Sequence, residues 1–301
     1  MNFPSNIFPF AYLNGAVVPV ERALVSPLDR GFLMGDGLFE TLHVFAGAPL
    51  DLEPHLSRLD DSCDFFGLAL PTRAELPKIF GRVIARNGLV GDDAPEAALR
   101  LTVSRGVSPS GPPTVLVHLR SLDPGHLSKR EVGVHLHELP LGGRGAADLV
   151  QHKSSSYAAS ALSDVWLRSR PDHKATDEGL FVSHDGEVRE GASCNVFAIS
   201  GRRMITPPVS CGILPGILRA AVCAMGSELG YEVAEATLTL DALLAADEAF
   251  VTSSTLHAAP VVAVGDRRIG TGGPGPQVLR LQASLRERAQ RQVAQWRNRS
   301  L

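Results

Sequence analysis

The chain has 301 residues, of which 44% are hydrophobic and 20% charged, and its formal net charge is −3. This length favours two domains, and the composition supports ordinary hydrophobic cores and excludes intrinsic disorder. The small negative charge gives no reason to expect nucleic acid or an anionic membrane as a partner. No secretory signal or membrane span is recognisable, and the scattered cysteines form no paired motif. We therefore expect a cytoplasmic protein with reduced thiols.

The first part of the chain alternates short strand and helix patterns. Asn14-Gly15 between two apolar runs predicts a hairpin. A loop punctuated by glycines covers residues 29–37, and a strand follows from Leu38 to Val44. Apolar residues then recur at helical spacing from Leu52 to Phe66, and Arg58 lies on this predicted helix.

Two further strands are predicted, Ala98–Ser104 and Thr114–Leu119, and the alternation of strand and helix patterns is interrupted after them. Pro124-Gly125 interrupts both helix and strand ladders, so we predict a linker at this point. The predicted organisation is an N-terminal domain over 1–121, an interdomain linker over 122–130 and a C-terminal domain over 131–301.

Three features of the second half suggest a cofactor site. Lys153 stands alone in a polar stretch before a predicted helix, and Glu190 ends a predicted hairpin. Leu214-Pro215-Gly216-Ile217 opens another predicted helix. Pyridoxal 5'-phosphate needs a lysine for its Schiff base, an acid for its ring nitrogen and backbone N–H groups for its phosphate. The three features together match these needs.

These residues belong to a longer series of motifs that resembles the class IV aminotransferases, the fold-type IV pyridoxal phosphate enzymes. That family includes branched-chain and D-amino acid aminotransferases, (R)-selective amine transaminases and 4-amino-4-deoxychorismate lyase. The matching segments are Asp29-Arg30-Gly31-Phe32, Gly35-Asp36-Gly37-Leu38-Phe39-Glu40-Thr41, His55-Leu56-Ser57-Arg58-Leu59, Lys153, Asp177-Glu178-Gly179, Glu190-Gly191, Asn195-Val196-Phe197, Thr206-Pro207, Gly212-Ile213-Leu214-Pro215-Gly216-Ile217 and Asp247-Glu248-Ala249-Phe250. Their order along most of the chain makes the resemblance specific.

The resemblance implies an α/β (α+β) fold of two domains. The expected domains are a small N-terminal α+β domain and a larger C-terminal α/β pseudo-barrel domain, which together would hold the cofactor. Proteins of this family are usually homodimers, so a homodimer is expected. Lys153 would be the catalytic residue that carries pyridoxal 5'-phosphate and shuttles the proton. Glu190 would pair with the pyridine nitrogen, and the planar guanidinium of Arg58 would reach the phosphate.

The same resemblance implies the remaining cofactor contacts. Gly216, Ile217 and Leu218 would form the phosphate cradle at a helix start, where backbone N–H groups and the helix dipole favour an anion. Many relatives have threonine where this chain has Leu218, so one hydroxyl bond is missing. Ser254 fits the position of a second phosphate-binding hydroxyl, with Thr255 adjacent.

The substrate contacts depart from the familiar patterns. D-amino acid aminotransferases carry an arginine and a histidine in the loop after the strand that here ends at Ser104, whereas residues 107–113 of this chain carry no charge. The residues predicted to contact substrate are Phe32, His43, Arg30 and Arg105. A pocket that accepts amines or bulky apolar substrates is the alternative.

The first interpretation is an aminotransferase that moves an amino group from an amino acid or amine to a 2-oxo acid. The alternatives are 4-amino-4-deoxychorismate lyase, which releases pyruvate, and a non-catalytic protein that only binds pyridoxal 5'-phosphate. No metal site is predicted: His135 and His137 share a strand face, but the sequence shows no clear third ligand.

Overall fold

A computed structural model of the chain describes residues 4–70 and 73–299. The structure is mixed α/β and divides into two units. The first unit comprises Met1–Asp123, His152–Ser156 and Glu287–Leu301, and the second comprises Pro124–Gln151 and Tyr157–Arg286. Within the described ranges, no helix combines the length and apolar character that a bilayer crossing requires.

The first unit is built on one antiparallel sheet of six strands in the order β2-β1-β6-β5-β3-β4. Its elements are β1 (Phe10–Leu13), β2 (Ala16–Pro19), α1 (Arg30–Met34), β3 (Gly37–Phe45), β4 (Ala48–Pro49), α2 (Leu52–Phe66), α3 (Leu76–Arg86), β5 (Ala97–Ser104) and β6 (Thr114–Ser121). The inward faces of α2 and α3 pack with β3, β5 and β6 in one hydrophobic core.

Local sequence explains the first hairpin. Asn14 and Gly15 both have positive φ, 43° and 106°, as a tight turn between β1 and β2 requires. The predicted hairpin at this position is confirmed.

The loop predicted over 29–37 was partly wrong, because it contains the short helix α1. The Asp29 carboxylate accepts a hydrogen bond from the Gly31 N–H at 2.8 Å, and Gly35 ends the helix in a left-handed conformation.

The second unit contains a ten-stranded mixed sheet, whose main path runs β12-β11-β10-β14-β15-β7-β8-β9-β13, with β16 paired to β15. Its elements are α4 (Pro124–Val132), β7 (Val134–Glu138), α5 (Ala147–Val150), α6 (Ala158–Arg168), β8 (Asp177–Val182), β9 (Glu187–Gly191), β10 (Asn195–Ser200), β11 (Arg203–Thr206), α7 (Ile217–Glu228), β12 (Glu232–Glu235), β13 (Leu238–Thr239), α8 (Leu240–Leu244), β14 (Glu248–Ser253), β15 (His257–Val264), β16 (Arg267–Arg268) and α9 (Pro276–Arg297). The residues of α9 from Glu287 onward belong to the first unit.

The segment predicted as a linker, 122–130, is mostly helical in the structure. Pro124 opens α4, because proline is well tolerated in the first turn of a helix, where its missing N–H leaves no hydrogen bond unmade. The division between the units falls between Asp123 and Pro124. Two later segments, 152–156 and 287–299, belong to the first unit, which a simple split of the chain did not anticipate.

Candidate active site

The predicted cofactor and substrate residues occur in both units. Those in the first unit are Arg30, Phe32, His43, Arg58, Arg105 and Lys153. Those in the second unit are Glu190, Gly216, Ile217, Leu218, Ser254 and Thr255.

Lys153 is fixed to the edge of β3 by its backbone. Its carbonyl oxygen accepts a hydrogen bond from the Phe39 N–H at 2.8 Å, and the next residue, Ser154, forms an isolated β-bridge with Leu38. The Lys153 ammonium nitrogen lies 4.6 Å from the centroid of the Phe39 ring, which is buried. The backbone and the aromatic ring together restrict where the Lys153 amine can reach.

The residue before Lys153 is anchored as well. The His152 ring stacks on Phe65 with centroids 4.2 Å apart and meets Phe66 edge-on at 5.6 Å. Its Nδ1 lies 3.0 Å from the Ser62 hydroxyl on α2. Burial lowers the pKa of His152, more than the charge of Asp61 raises it, so this anchor is an uncharged ring at neutral pH.

Arg58 forms a buried ion pair within its own unit. Its Nε and Nη2 donate to the two oxygens of Glu40 at 2.8 and 2.7 Å, and His55 Nδ1 lies 2.7 Å from the same carboxylate. Burial opposes the charge of Glu40, but Arg58 and His55 outweigh it and hold the pKa of Glu40 far below its ordinary value. The Arg58 guanidinium is therefore oriented by a permanently charged partner.

His43 lies in a setting that disfavours contact with a substrate carboxylate. Its side chain is only 1% exposed, and its Nε2 is 2.8 Å from a Glu96 oxygen. A carboxylate this close would repel the carboxylate of an amino acid or oxo acid. The structure therefore gives no support to His43 as the predicted substrate contact.

The two arginines predicted as substrate contacts, Arg30 and Arg105, converge on one acid. Their Nε atoms donate to the same Asp36 oxygen at 2.8 and 2.9 Å. Arg105 also donates to the carbonyl oxygens of Gly67 and Phe66, both at 2.8 Å, so all three of its guanidinium nitrogens form hydrogen bonds within the protein. Arg30 is more exposed and has Asp36 as its ion-pair partner, which makes it the better of the two candidates.

Glu190 is a buried carboxylate at the end of β9. Arg144, from the glycine-rich loop, contacts its Oε1 through Nε at 2.7 Å and Nη2 at 2.6 Å. The Leu214 N–H donates to its Oε2 at 3.1 Å. Glu190 is thereby joined to the turn that opens α7, so the structure brings together the predicted acid and the predicted phosphate cradle.

Glycine is required at the start of α7. A Cβ added at Gly216 would lie 2.0 Å from Asn195 Oδ1, and the Asn195 amide in turn donates to the Leu214 carbonyl oxygen at 3.0 Å. The N-cap residue Gly216 has no side chain to cap the first turn of α7, and the N–H groups of that turn point outward from the helix end as an anion site requires. Leu218 is buried in the core beneath this turn.

The hydroxyl of Thr255 is engaged by a neighbouring side chain. Its Oγ1 lies 3.0 Å from His126 Nε2, and its carbonyl oxygen accepts from Arg130 at 2.6 Å. Thr255 and Ser254 lie in the turn between β14 and β15. The Thr255 hydroxyl therefore already has a side-chain partner, which would compete with a phosphate for its hydrogen bonds.

Sequence reasoning missed Arg144 as a member of the site. The guanidinium of Arg144 also lies 5.4 Å from the centroid of the Tyr157 ring, four residues after Lys153. A lone arginine between glycines at 142–145 was the available signal, but its partner Glu190 is 46 residues away. Only the fold places them together.

Comparison with known proteins identifies the family. The model of the amino-transferase class IV family matches residues 37–264, which is most of the chain. This chain belongs to that family. Its members are pyridoxal-phosphate-dependent enzymes, which confirms the resemblance seen in the motifs.

Relatives of different activities match at similar levels. The aminodeoxychorismate lyase of Bacillus subtilis is 30% identical over 279 residues, covering 90% of this chain and 92% of the relative. The D-alanine aminotransferase of Bacillus licheniformis is 28% identical, covering 90% and 94%. The crystal structure of the Escherichia coli branched-chain amino acid aminotransferase has a TM-score of 0.82 and 25% identity, covering 93% of this chain and 94% of that one. The predicted fold class is confirmed by this match.

Proposed function

We propose that this enzyme binds pyridoxal 5'-phosphate through Lys153 and transfers an amino group from an amino acid or amine to a 2-oxo acid. The observation that carries the proposal is the hydrogen bond from Leu214 to Glu190, which ties a buried acid to the uncapped start of α7. An acid and an anion-binding helix end in one rigid arrangement suit the two ends of this cofactor. The family membership supports the same assignment.

Each residue has a distinct task in this proposal. When bound, the cofactor supplies an aldehyde that bonds to primary amines and a ring that accepts electron density. The Lys153 amine holds the cofactor covalently, and once released it moves the proton at the substrate carbon. Glu190, oriented by Arg144, provides negative charge for the ring nitrogen. The N–H groups of Ile217 and Leu218 would hold the phosphate, with Arg58 and Ser254 as further contacts.

Covalent attachment tests the cofactor assignment. We expect the purified protein saturated with pyridoxal 5'-phosphate to be yellow, and borohydride to leave one reduced adduct on the peptide that contains Lys153. Lys153→Ala should abolish both the adduct and the activity. Lys78→Ala, at an exposed lysine of α3, is the matched control and should retain both. An adduct that persists in Lys153→Ala would overturn the assignment.

Aminodeoxychorismate lyase is the second candidate, because that relative from Bacillus subtilis is 30% identical over nearly the whole chain. The two reactions differ in what they require. An aminotransferase needs a 2-oxo acid acceptor to turn over, whereas the lyase releases pyruvate from aminodeoxychorismate without an acceptor. Repeated turnover without an acceptor would decide for the lyase.

The same protein preparation tests for a non-catalytic role. Mixing the cofactor-loaded protein with an amino donor alone should release one equivalent of carbonyl product per chain, a 2-oxo acid from an amino acid and an aldehyde or ketone from an amine. A panel of amino acids, amines and aminodeoxychorismate that releases no carbonyl product would decide for a protein that only binds the cofactor.

We also propose that the chain forms a homodimer. Six apolar side chains are exposed within residues 24–34, and Phe32 reaches 77% exposure. They are Leu24, Val25, Leu28, Phe32, Leu33 and Met34. A concentrated apolar patch of this kind is typical of a surface covered in an assembly. Light scattering should give twice the chain mass, and Phe32→Asp should reduce it, whereas Val90→Asp, at another exposed apolar residue, should not.

We propose a cytoplasmic location on the basis of the four cysteines. Cys63, Cys194, Cys211 and Cys223 are all free thiols in the structure. Burial raises the pKa of each of them, and that of Cys63 to about 12. Unreactive, unpaired thiols suit a reducing compartment. Equal activity with and without a reductant would agree with this, and a disulfide mapped in the native protein would oppose it.

A further inference from the structure

A cluster of histidines surrounds one carboxylate in the second unit, in a place that none of the proposed cofactor chemistry uses. His135 and His137 project from the same face of β7, and Asp177 opens β8, where it is the register partner of His135. His173 lies in the loop before β8. The parallel pairing of the two strands is what places these groups together.

The remaining hydrogen bonds of the cluster leave its inner atoms available. His135 Nε2 donates to the Gly265 carbonyl oxygen at 2.7 Å, so His135 Nδ1 carries a lone pair. The outer Asp177 oxygen, Oδ2, accepts from the Lys174 N–H at 2.8 Å. A hydrogen bond from the far ring nitrogen to a carbonyl oxygen is the usual support of a metal-binding histidine.

The inner atoms are buried without hydrogen-bond partners. Among the described residues, His137 Nε2, Asp177 Oδ1 and His173 Nδ1 each lack one. The side chains of His137 and Asp177 are only 6% and 2% exposed. His137 Nε2 and Asp177 Oδ1 lie 3.2 Å apart. Leaving several buried polar atoms unsatisfied is costly, so this arrangement calls for a ligand.

The spacing of these atoms suits a small tetrahedral cation. Zinc bonds of about 2.0–2.2 Å to nitrogen and oxygen place neighbouring ligand atoms about 3.3–3.6 Å apart. Asp177 Oδ1 lies 3.2 Å from His137 Nε2 and 3.8 Å from His135 Nδ1. The ligand atoms of His135, His137 and Asp177 all lie within 4.8 Å of one another.

We propose that His135, His137 and Asp177 bind a divalent transition-metal ion of the zinc type, with water as the fourth ligand. Imidazole nitrogens select such ions over magnesium and calcium, which prefer oxygen ligands. The third ligand that the sequence analysis did not find is Asp177. The bound ion fastens the start of β8 to β7 and acts as a structural clamp.

Cobalt titration of the purified, metal-stripped protein tests the proposal. We expect one Co²⁺ per chain, with visible d–d bands of a tetrahedral site, displaced by Zn²⁺ and confirmed by elemental analysis. His137→Gln and His135→Gln should each weaken Co²⁺ binding at least about 100-fold, because each removes one of three protein ligands. His184→Gln, at an exposed histidine of the same unit, is the matched control and should bind as the unaltered protein does.

Two results would overturn the proposal. One is the absence of a tetrahedral Co²⁺ spectrum in the unaltered protein, which needs no variant to interpret. The other is Co²⁺ binding of equal affinity in both histidine variants, which would assign the metal to another place such as the cysteines. His135 is more exposed than His137, so His135→Gln keeps the test open if His137→Gln fails to fold.

Discussion

Two buried carboxylates, Glu40 in the first unit and Glu190 in the second, are neutralised in different ways. Both oxygens of Glu40 receive bonds from ionisable side chains, Arg58 and His55. Glu190 receives both of its arginine contacts on one oxygen, and a backbone N–H reaches the other. Glu40 is therefore held by two side chains, whereas Glu190 is held partly by the turn that opens α7.

The different partners of Glu40 and Glu190 predict different consequences of mutation, one for the stability of the core and one for the geometry of the proposed cofactor site. A change at Glu40 disturbs an ion-pair network in the core, whereas a change at Glu190 disturbs the turn at which the phosphate and the ring nitrogen are proposed to bind. Glu40 and Lys153 are nevertheless connected, because Glu40 follows Phe39, whose N–H bonds to the Lys153 carbonyl oxygen. The predictions that follow test how far the two roles are independent.

Glu40→Gln should have the largest effect. The change leaves Arg58 buried without its charged partner, and breaking a buried pair in this way costs about 3–5 kcal/mol of unfolding free energy. Urea unfolding measures the loss. Glu53→Gln, which removes an exposed carboxylate paired with Arg73, is the control and should cost less than about 1 kcal/mol. Equal losses in the two variants would mean that the Glu40 network contributes little.

Glu190→Gln should reduce catalysis, and it should also reduce stability because it leaves the buried Arg144 guanidinium without its charged partner. The amide still accepts from the Leu214 N–H but no longer supplies negative charge, so we expect kcat to fall by about 10²–10³-fold, the range seen when one electrostatic contact to a reacting group is lost. Steady-state rates and a melting curve on the same sample separate the two effects. Glu187→Gln, on the same strand, should leave kcat unchanged. A Glu190→Gln enzyme with full activity would remove Glu190 from the proposed mechanism.

Gly216→Ala should weaken cofactor binding. The added methyl group would collide with Asn195 Oδ1, and accommodating such a group costs about 1–3 kcal/mol. We expect this cost to appear as a rise of about tenfold or more in the Kd for pyridoxal 5'-phosphate. Gly273→Ala, where a Cβ would meet no atom within 4 Å, is the control. Unchanged affinity in Gly216→Ala would argue against a phosphate at this turn.

The smallest effect concerns His118 in β6. Burial, with Arg100 and Arg120 nearby, lowers the pKa of His118 from 6.5 to about 4. The unfolded chain therefore binds a proton more readily between these values, so His118 reduces stability as the pH falls from 6.5 towards 4. His118→Gln should recover about 1 kcal/mol at pH 5 relative to pH 7.5 in urea unfolding. An unaltered pH dependence of stability in His118→Gln would contradict the prediction.

Short-range patterns predicted much of the fold. The Asn14-Gly15 turn, the helix at Leu52–Phe66 and the helix start at Gly216 all follow from residues within a few positions of one another. The helix α1 was missed because glycines at 31 and 35 indicated a loop, although Asp29 could be read as its cap. The helix α4 was missed because proline is as suitable for starting a helix as for breaking one.

Contacts between distant residues could not be predicted from the sequence. Lys153 and Glu190 were assigned from motifs, but Arg144 as the partner of Glu190 and Glu40 as the partner of Arg58 depend on tertiary packing. The juxtaposition of Asp177 with His135 depends on the register of two parallel strands. Substrate contacts were the hardest to predict. The burial of His43 beside Glu96 and the hydrogen bond from Arg105 to the Gly67 carbonyl oxygen depend on tertiary structure.

The placement of residues 287–299 in the first unit has a consequence for biosynthesis. Asp51 bonds to Gln292 and pairs with Arg288, and Ala289 and Val293 pack with Ala46, Ala48 and Leu50. These partners are about 240 positions apart. On the ribosome the first unit therefore cannot complete its packing until the residues of α9 have been synthesised, and it stays incompletely folded while the second unit emerges.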